Sequence, residues 1–267
     1  MADTSIPSTR WVDFIRNLSI VLCRHSVPLF SGGKYGPTLV GTGTLVSADD
    51  AAYIITAAHV LDPIRKGQDI FYYVKMGFTQ KLSGRAVLTK PDNGKSRSDD
   101  RLDISVIRID GPESPPFPEV EKYPIQLAAL KSHALPRTAK EYLLVGVPAS
   151  KASLKHRSRI LNLLPYSYRN GSVPESEYAE IGLSPRMHIA LGFNQRRVID
   201  SNGRFINAPN LRGMSGSPVW LVYEDGIDVN QLIAPPIVGI FIEHRKNHKV
   251  LVATDIGVAL DAMKNIA

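Results

Sequence analysis

Residues 210–220 read NLRGMSGSPVW, and this short stretch is the most informative part of the sequence. Glycines at 213 and 216 let the backbone around Ser215 adopt conformations closed to other residues, and they leave the serine hydroxyl approachable. The N–H groups of Gly213 and Ser215 can then point at one spot and stabilise an oxyanion there. Ser217 opens the apolar run that follows, so we assign it to packing or hydrogen bonding. The stretch predicts a reactive serine at position 215.

A histidine follows an apolar segment in YIITAAHVLD, residues 53–62. Two small alanines allow close packing just before His59. An isolated histidine in such a place is usually structural or on the surface. Because the unperturbed pKa of imidazole lies close to neutrality, it can also act as a base and then as an acid. The segment alone leaves both interpretations open.

An aspartate opens an alternating apolar strand in DDRLDISVIRID, residues 99–110. Asp103 could simply cap this strand. Alternatively, as a buried carboxylate, it could accept a hydrogen bond from an imidazole Nδ1–H and fix the tautomer of the ring. Asp99 and Asp100 stand in a polar loop and are weaker candidates for that role.

The segments TAAHV, LDISVIRI and GMSGSPV, in that order, resemble the His, Asp and Ser segments of trypsin-like peptidases, most closely bacterial members without disulfides. The upstream GTGTLVS, residues 41–47, is similar to the strand that precedes the histidine strand in this family. The resemblance implies an all-β fold of two antiparallel β-barrels with a C-terminal helix and a site in the crevice between the barrels. The GxSxG elbow of α/β-hydrolases fits less well, because position 217 is serine and the order of the three segments differs.

The resemblance also implies a reaction. Ser215 would attack the scissile carbonyl, His59 would shuttle the proton and Asp103 would orient His59. The N–H groups of Gly213 and Ser215 would form the oxyanion hole. The protein would then be a serine endopeptidase that works through an acyl-enzyme intermediate, with no metal and no organic cofactor.

One position bears on activation and five on substrate specificity. Digestive members of the family carry an aspartate before the serine, which pairs with a newly cleaved amino terminus, whereas this chain has Met214. We therefore do not expect that activation route. In this fold the substrate pocket is lined by residues before the serine and by the strand after the next hairpin, so the candidate substrate-binding residues are Asn210, Arg212, Phe241, Glu243 and His244. Glu243 would favour a basic side chain, and Arg212 or His244 an acidic one.

Short β-branched and aliphatic runs separated by Gly, Pro, Asn and Asp predict a mostly antiparallel β protein. One predicted strand covers Leu18–Arg24. Five of the nineteen prolines fall in residues 111–124, which we interpret as a linker between two β units. The predicted organisation is an N-terminal extension with helical character over 1–17, a first barrel over 18–124, a second barrel over 125–255 and a C-terminal helix over 256–267.

The composition of the 267-residue chain excludes some kinds of site and favours a cellular location. Cys23 is the single cysteine, which excludes an internal disulfide and a Cys/His zinc cluster and favours a reducing compartment. Charges interrupt the first 30 residues and no long apolar run occurs, so we expect neither membrane insertion nor secretion, but a cytoplasmic protein. The net charge of +7 comes with short basic clusters that lack interleaved aromatics, so a nucleic-acid partner is not favoured.

A serine peptidase in the cytoplasm without a pro-segment must avoid destroying its host. We therefore expect narrow specificity, a closed resting site or control by a regulatory protein partner, with a protein or peptide as substrate. The alternative is a binding or scaffold protein of the same fold whose triad no longer works. A nucleic-acid-binding module is a third interpretation, and its affinity would have to fall with salt.

Overall fold

A computed structural model describes most of the chain, namely residues 9–32, 36–48, 51–75, 78–91, 95–96, 99–109, 123–133, 135, 137, 140–155, 160–199, 204–223 and 235–266. The predicted linker over 111–124 lies almost entirely outside these residues.

The first half of the chain forms one sheet. Its strands are β1 (Ser26–Ser31), β2 (Thr38–Ala48), β3 (Ala51–Ala57), β4 (Ile70–Lys75), β5 (Phe78–Lys81), β6 (Gly84–Leu88), β7 (Ile104–Ile109) and β8 (Ile125–Gln126). Antiparallel neighbours follow the order β5-β4-β1-β2-β3-β7-β6, and β8 runs parallel to β2. Strands β1 and β3 are buried on both faces, which is why their apolar residues stand in runs. Strand β7 is also almost fully buried, although Ser105 and Arg108 interrupt its apolar residues.

The second half contains a second sheet and two small hairpins. Its strands are β9 (Glu141–Gly146), β10 (Ala152–Lys155), β11 (Ile160–Leu163), β12 (Tyr166–Gly171), β13 (His188–Gly192), β14 (Val198–Ile199), β15 (Phe205–Ile206), β16 (Pro218–Tyr223), β17 (Ile237–Arg245) and β18 (Val250–Asp255). The sheet has the order β12-β9-β16-β17-β18-β13, while β10 pairs with β11 and β14 with β15. An antiparallel bridge between Ser172 and Leu191 joins its two edges, so the sheet curls towards closure.

The two sheets share a core. Leu45 and Ile55 of the first sheet belong to the same cluster of buried side chains as Leu143 and Trp220 of the second. A second cluster fills the interior of the second sheet. The predicted all-β fold of two antiparallel barrels with a C-terminal helix is confirmed.

Within the described residues three α-helices accompany the sheets: α1 (Thr9–Leu22), α2 (Asp62–Arg65) and α3 (Ile256–Lys264). Helix α3 begins where sequence analysis placed it, and the Asp255 carboxylate caps it by accepting the Gly257 N–H at 2.9 Å. Ile256, Ala259 and Met263 form its buried face. None of the helices in the described ranges is long and apolar enough to cross a membrane.

The predicted strand over Leu18–Arg24 is wrong. Helix α1 continues to Leu22, and the first strand begins only at Ser26, so the first barrel starts later than residue 18. Leu22 is buried, whereas Ile20 and Val21 are 56% and 51% exposed. Apolar residues therefore occupy both faces of this helix, which hides its helical period and makes the run resemble a buried strand.

The predicted boundary at residue 125 is also displaced. Strand β8 pairs with β2, with Val46 opposite Ile125 and Ser47 opposite Gln126, so the first sheet extends past it. The first strand of the second sheet begins at Glu141. Proline content does not tell which sheet the next short strand joins.

Candidate active site

The pairing of β3 with β7 brings His59 and Asp103 together. These strands are antiparallel, and Ala57 at the end of β3 lies opposite Ile104 at the start of β7. His59 stands in the helical turn that follows β3, and Asp103 immediately precedes β7. The Ala58 N–H donates to the Asp103 carbonyl at 2.7 Å, which fixes the two chain segments side by side.

Each carboxylate oxygen of Asp103 has its own donor on His59. The imidazole Nδ1 lies 2.5 Å from Oδ2, and the backbone N–H of His59 donates to Oδ1 at 2.9 Å. The side chain of Asp103 is 14% exposed and that of His59 is 42% exposed. The carboxylate is thus nearly enclosed while the ring stays partly exposed, an arrangement that favours a proton on Nδ1 and makes Nε2 the basic nitrogen of the ring.

The loop before Asp103 is shaped by Asp100, whose role sequence analysis missed. Its Oδ1 accepts the N–H groups of Leu102 and Asp103, both at 3.1 Å, and its Oδ2 accepts the Thr89 hydroxyl at 2.7 Å. Asp103 itself has a left-handed backbone, with φ of 47°. Aspartate tolerates this conformation better than most residues. The signal for Asp100 was its position three residues before Asp103, which suits an Asx-type turn.

The serine loop runs from residue 210 into β16 and is held against β17. The Gly216 N–H donates to the Phe241 carbonyl at 2.7 Å, and the Phe241 N–H donates to the Ser217 carbonyl at 2.9 Å. The Ser215 hydroxyl donates to the Ile242 carbonyl at 3.3 Å. Ser217 is fully buried, in line with its assignment to packing.

Both glycines of the loop have positive φ, 90° at Gly213 and 91° at Gly216. A Cβ at Gly216 would lie 1.9 Å from the Thr42 carbonyl oxygen and 3.1 Å from the Ala57 nitrogen, so only glycine fits. This close approach sets the serine loop of the second sheet against the end of β3, two residues before His59.

The peptide between Arg212 and Gly213 is oriented by Ala149, whose N–H donates to the Arg212 carbonyl at 2.7 Å. In a trans peptide the N–H points opposite to the carbonyl, so the Gly213 N–H faces away from Ala149. Within the described part of the chain, the N–H groups of Gly213 and Ser215 enter no hydrogen bond. Both N–H groups are therefore unpaired donors in the described structure.

A family model described as a trypsin-like peptidase domain matches residues 41–226, a segment that includes His59, Asp103 and Ser215. The chain belongs to the trypsin-like peptidase family. This confirms the resemblance read from the sequence, and it makes the protein a relative of hydrolases. The solved structure of neuropsin, a serine protease expressed in the limbic system of mouse brain, shares the fold, with a TM-score of 0.55 and 18% identity over 91% of this chain and 94% of that chain. No curated protein matches the chain.

This trypsin-like peptidase domain anchors its serine loop on β2. Thr42 donates its N–H to the Ser215 carbonyl and its hydroxyl to the Gly213 carbonyl, both at 2.8 Å. The Thr44 hydroxyl donates to the Gly216 carbonyl at 3.3 Å. In the sequence, GTGTLVS is recognisable only as a strand similar to one in the family, and nothing in it predicts these contacts.

The Asp103 loop of the peptidase domain is anchored from the second sheet. The Thr254 hydroxyl of β18 donates to the Leu102 carbonyl at 2.6 Å, and His188 Nε2 of β13 lies 3.0 Å from the Arg101 carbonyl. Neither anchor was found from the sequence, because both act across more than 80 residues of chain.

His188 is a buried anchor of this loop. Its Nε2 lies 3.0 Å from the Arg101 carbonyl oxygen, and its Nδ1 lies 3.2 Å from both the backbone nitrogen and the carbonyl oxygen of Ser184. Burial lowers the pKa of His188, and Arg245 lowers it further, whereas the hydrogen bonds to Arg101 and Ser184 and the charge of Glu243 oppose this. The net shift is downward, so the fold favours the neutral ring.

We expect the stability of the domain to fall as the pH drops below about 6.5, the ordinary histidine pKa. Below that pH His188 binds a proton in the unfolded chain but not in the folded one, because its pKa is lower in the folded protein. The free energy of unfolding that His188 contributes is therefore fully present above the pKa of the unfolded chain. It is lost as the pH falls towards the lower pKa of the folded protein. Urea unfolding at pH 7 and pH 5 should show a smaller pH-dependent loss in His188→Gln than in the wild type. The exposed His248→Gln serves as control, and equal pH dependence in all three proteins would contradict the prediction.

The predicted substrate-binding residues flank the serine loop on two segments. Asn210 and Arg212 are exposed, and the Asn210 side-chain oxygen accepts the Arg212 N–H at 3.0 Å. Glu243 is exposed and pairs with Arg245, with 2.6 Å between Oε1 and Nε. Their contact with a substrate stays a prediction.

The other two residues of that set lie on β17. His244 packs edge-on against Phe193 with 4.9 Å between ring centroids, and burial together with the charge of Lys246 lowers the pKa of His244. The ring of Phe241 is buried in the interior of the second sheet, and its backbone holds the serine loop. Of the two, only His244 has a partly exposed side chain.

Proposed function

We propose that the protein is a serine endopeptidase that hydrolyses peptide bonds through an acyl-enzyme intermediate, with His59, Asp103 and Ser215 as its triad. The observation that carries the proposal is the 2.5 Å contact between His59 Nδ1 and Asp103 Oδ2, at a crevice that the serine loop borders. An enclosed carboxylate that holds an imidazole by Nδ1 directs the lone pair of Nε2 outwards, which is what a general base for a neighbouring hydroxyl requires.

In the proposed reaction the Ser215 Oγ attacks the scissile carbonyl carbon while His59 Nε2 takes the hydroxyl proton. The tetrahedral oxyanion binds the N–H groups of Gly213 and Ser215. The carbon–nitrogen bond then breaks, and the leaving amine takes the proton from His59. In the second half His59 takes a proton from water, and the resulting hydroxide attacks the carbonyl carbon of the ester. The bond to the Ser215 Oγ then breaks, the acid product leaves and His59 gives the proton to the Ser215 Oγ. The Asp103 carboxylate stabilises the imidazolium that forms in each half.

The carbonyl direction at Arg212 supports this proposal over a purely binding role. A peptide flipped between Arg212 and Gly213 would place a carbonyl oxygen where the oxyanion must sit. Because the Arg212 carbonyl is bonded to Ala149, that oxygen points elsewhere. A scaffold protein with a nonworking triad would have no need for two unused N–H donors beside its serine.

For the substrate we propose a protein or peptide that contacts Asn210, Arg212, Glu243 and His244. Phe241 would contribute by holding the serine loop, since its ring is buried. We also propose that the protein acts in the cytoplasm and that a regulatory protein partner restrains it there, since an unrestrained peptidase would destroy its host.

Labelling with a fluorophosphonate tests the proposed function. Attack by the Ser215 Oγ forms an oxygen–phosphorus bond, fluoride leaves and His59 takes the proton. We expect one covalent label per folded chain, located at Ser215 by mass spectrometry of peptides. Ser217→Ala should label like the wild type and Ser215→Ala should not. A folded wild type that never labels, judged by a cooperative thermal transition, would refute the proposal and favour the scaffold alternative.

A further inference from the structure

Thr42 carries a buried hydroxyl to which the proposed chemistry assigns no step. The residue is fully buried in β2, and all three of its polar groups are engaged. Its N–H binds the Ser215 carbonyl at 2.8 Å, its hydroxyl donates to the Gly213 carbonyl at 2.8 Å, and its carbonyl accepts the Thr56 hydroxyl at 2.7 Å. A side chain from the first sheet is thus bonded to the loop that carries the nucleophile in the second.

The hydroxyl of Thr42 holds one of the two peptides that meet at Gly213. The Gly213 carbonyl accepts from Thr42, and the N–H of the same peptide, that of Met214, donates to the Leu211 carbonyl at 2.9 Å. The preceding peptide is held by Ala149 through the Arg212 carbonyl. With both peptides fixed, the φ of 90° at Gly213 is fixed as well, and with it the direction of the Gly213 N–H.

No charge takes part in this arrangement. Met214 is fully buried in the apolar interior of the second sheet. It occupies the position where digestive members of the family carry the aspartate that pairs with a new amino terminus. The bonds that hold Gly213 come instead from a threonine hydroxyl and a backbone N–H. Strand β2 lies between β1 and β3, so the threonine stands on a rigid support.

We propose that Thr42 is a positioning residue that keeps Gly213 in the conformation that forms the oxyanion hole, without an ion pair to a newly formed amino terminus. The inference rests on the proposed function of the site. It implies that the hole is assembled when the chain folds, so that restraint of the enzyme must act elsewhere, at substrate access or through a partner.

Thr44 offers a matched control on the same strand. It is two residues from Thr42, faces the same side of β2 and is equally buried. Its hydroxyl donates to the Gly216 carbonyl at the longer distance of 3.3 Å, and Gly216 has a second anchor in the Phe241 carbonyl. Loss of the Thr44 hydroxyl therefore removes a similar buried group without releasing Gly213.

The kinetics of fluorophosphonate labelling test the inference. In Thr42→Val, which keeps the side-chain shape, we expect kinact to fall about tenfold or more with KI unchanged, because loss of an oxyanion donor outright costs on the order of 100-fold to 1,000-fold. Thr42→Ser should restore the wild-type rate, and Thr44→Val should stay within about threefold of it. Should the valine variant fail to fold, Thr42→Ala replaces it, since alanine leaves no methyl group against the Gly213 carbonyl.

The NMR signals of the Gly213 amide separate failure of this inference from failure of the proposed function. In the wild type its three-bond couplings should report the positive φ whether or not Ser215 labels. We expect these couplings and the Gly213 shift to change in Thr42→Val and not in Thr44→Val. A folded Thr42→Val with unchanged Gly213 signals and unchanged kinact would overturn the inference. If the wild type does not label, the proposed function fails and the Gly213 signals alone decide the role of Thr42.

Discussion

Replacement of Asp103 by asparagine is expected to lower the rate of fluorophosphonate labelling by about 10⁴-fold, with little loss of stability. Asparagine keeps the shape of the side chain and tolerates the left-handed backbone at this position, where φ is 47°. Its Oδ1 can still accept the His59 N–H. Its NH₂ group, however, donates to Nδ1 where the carboxylate accepted, so the ring proton moves to Nε2 and the lone pair needed by Ser215 is lost.

Asp100→Asn is the matched control for this change. Asp100 belongs to the same loop, and its Oδ1 accepts two backbone N–H groups, one of them that of Asp103. Asparagine preserves that acceptor and loses only the one that takes the Thr89 hydroxyl, so labelling should fall less than about tenfold. Second-order labelling rates of the three proteins, each checked for a cooperative thermal transition, provide the measurement. Equal rates in Asp103→Asn and the wild type would remove Asp103 from the mechanism, and equal losses in both variants would reduce its role to loop structure.

The sequence predicted those features that depend on local pattern. The strand that begins after Asp103 and the helix capped by Asp255 are signalled by residues within a few positions of each other, and both occur. The glycines around Ser215 also have the positive φ values that motivated their interpretation. Catalysis by the three residues stays a prediction until labelling is measured.

The features that sequence analysis missed depend on distant partners. The Thr42 hydroxyl finds its acceptor 171 residues away, and the Thr254 hydroxyl donates to a carbonyl 152 residues away. Threonine in a strand is common, because its β-branched side chain suits the pleat, so neither residue stands out in the sequence. The N-terminal extension was predicted to be helical, but the continuation of helix α1 past residue 17 was missed for a different reason, since solvent-facing Ile20 and Val21 hide its apolar stripe.

The largest loss of stability is expected from Asp255→Ala, about 3–5 kcal/mol of unfolding free energy. Asp255 lies 3.2 Å from Arg137, and the two side chains are 4% and 0% exposed. Alanine would leave the Arg137 guanidinium buried, and among the described residues its only remaining hydrogen-bond acceptor would be the Pro185 carbonyl. It would also remove the acceptor of the Gly257 N–H that begins α3. Urea unfolding monitored by tryptophan fluorescence measures the loss.

Two variants separate the buried ion pair from other effects. Asp261→Ala breaks an exposed pair with Lys264 in the same helix, where both side chains are about three-quarters exposed, and should cost less than about 1 kcal/mol. Arg137→Met should cost less than Asp255→Ala, because the Asp255 carboxylate keeps the Ser132 hydroxyl and two backbone N–H groups as donors. Equal losses in Asp255→Ala and Asp261→Ala would mean that the pair adds nothing. A larger loss in Arg137→Met than in Asp255→Ala would show that burial of the guanidinium is not what makes the aspartate necessary.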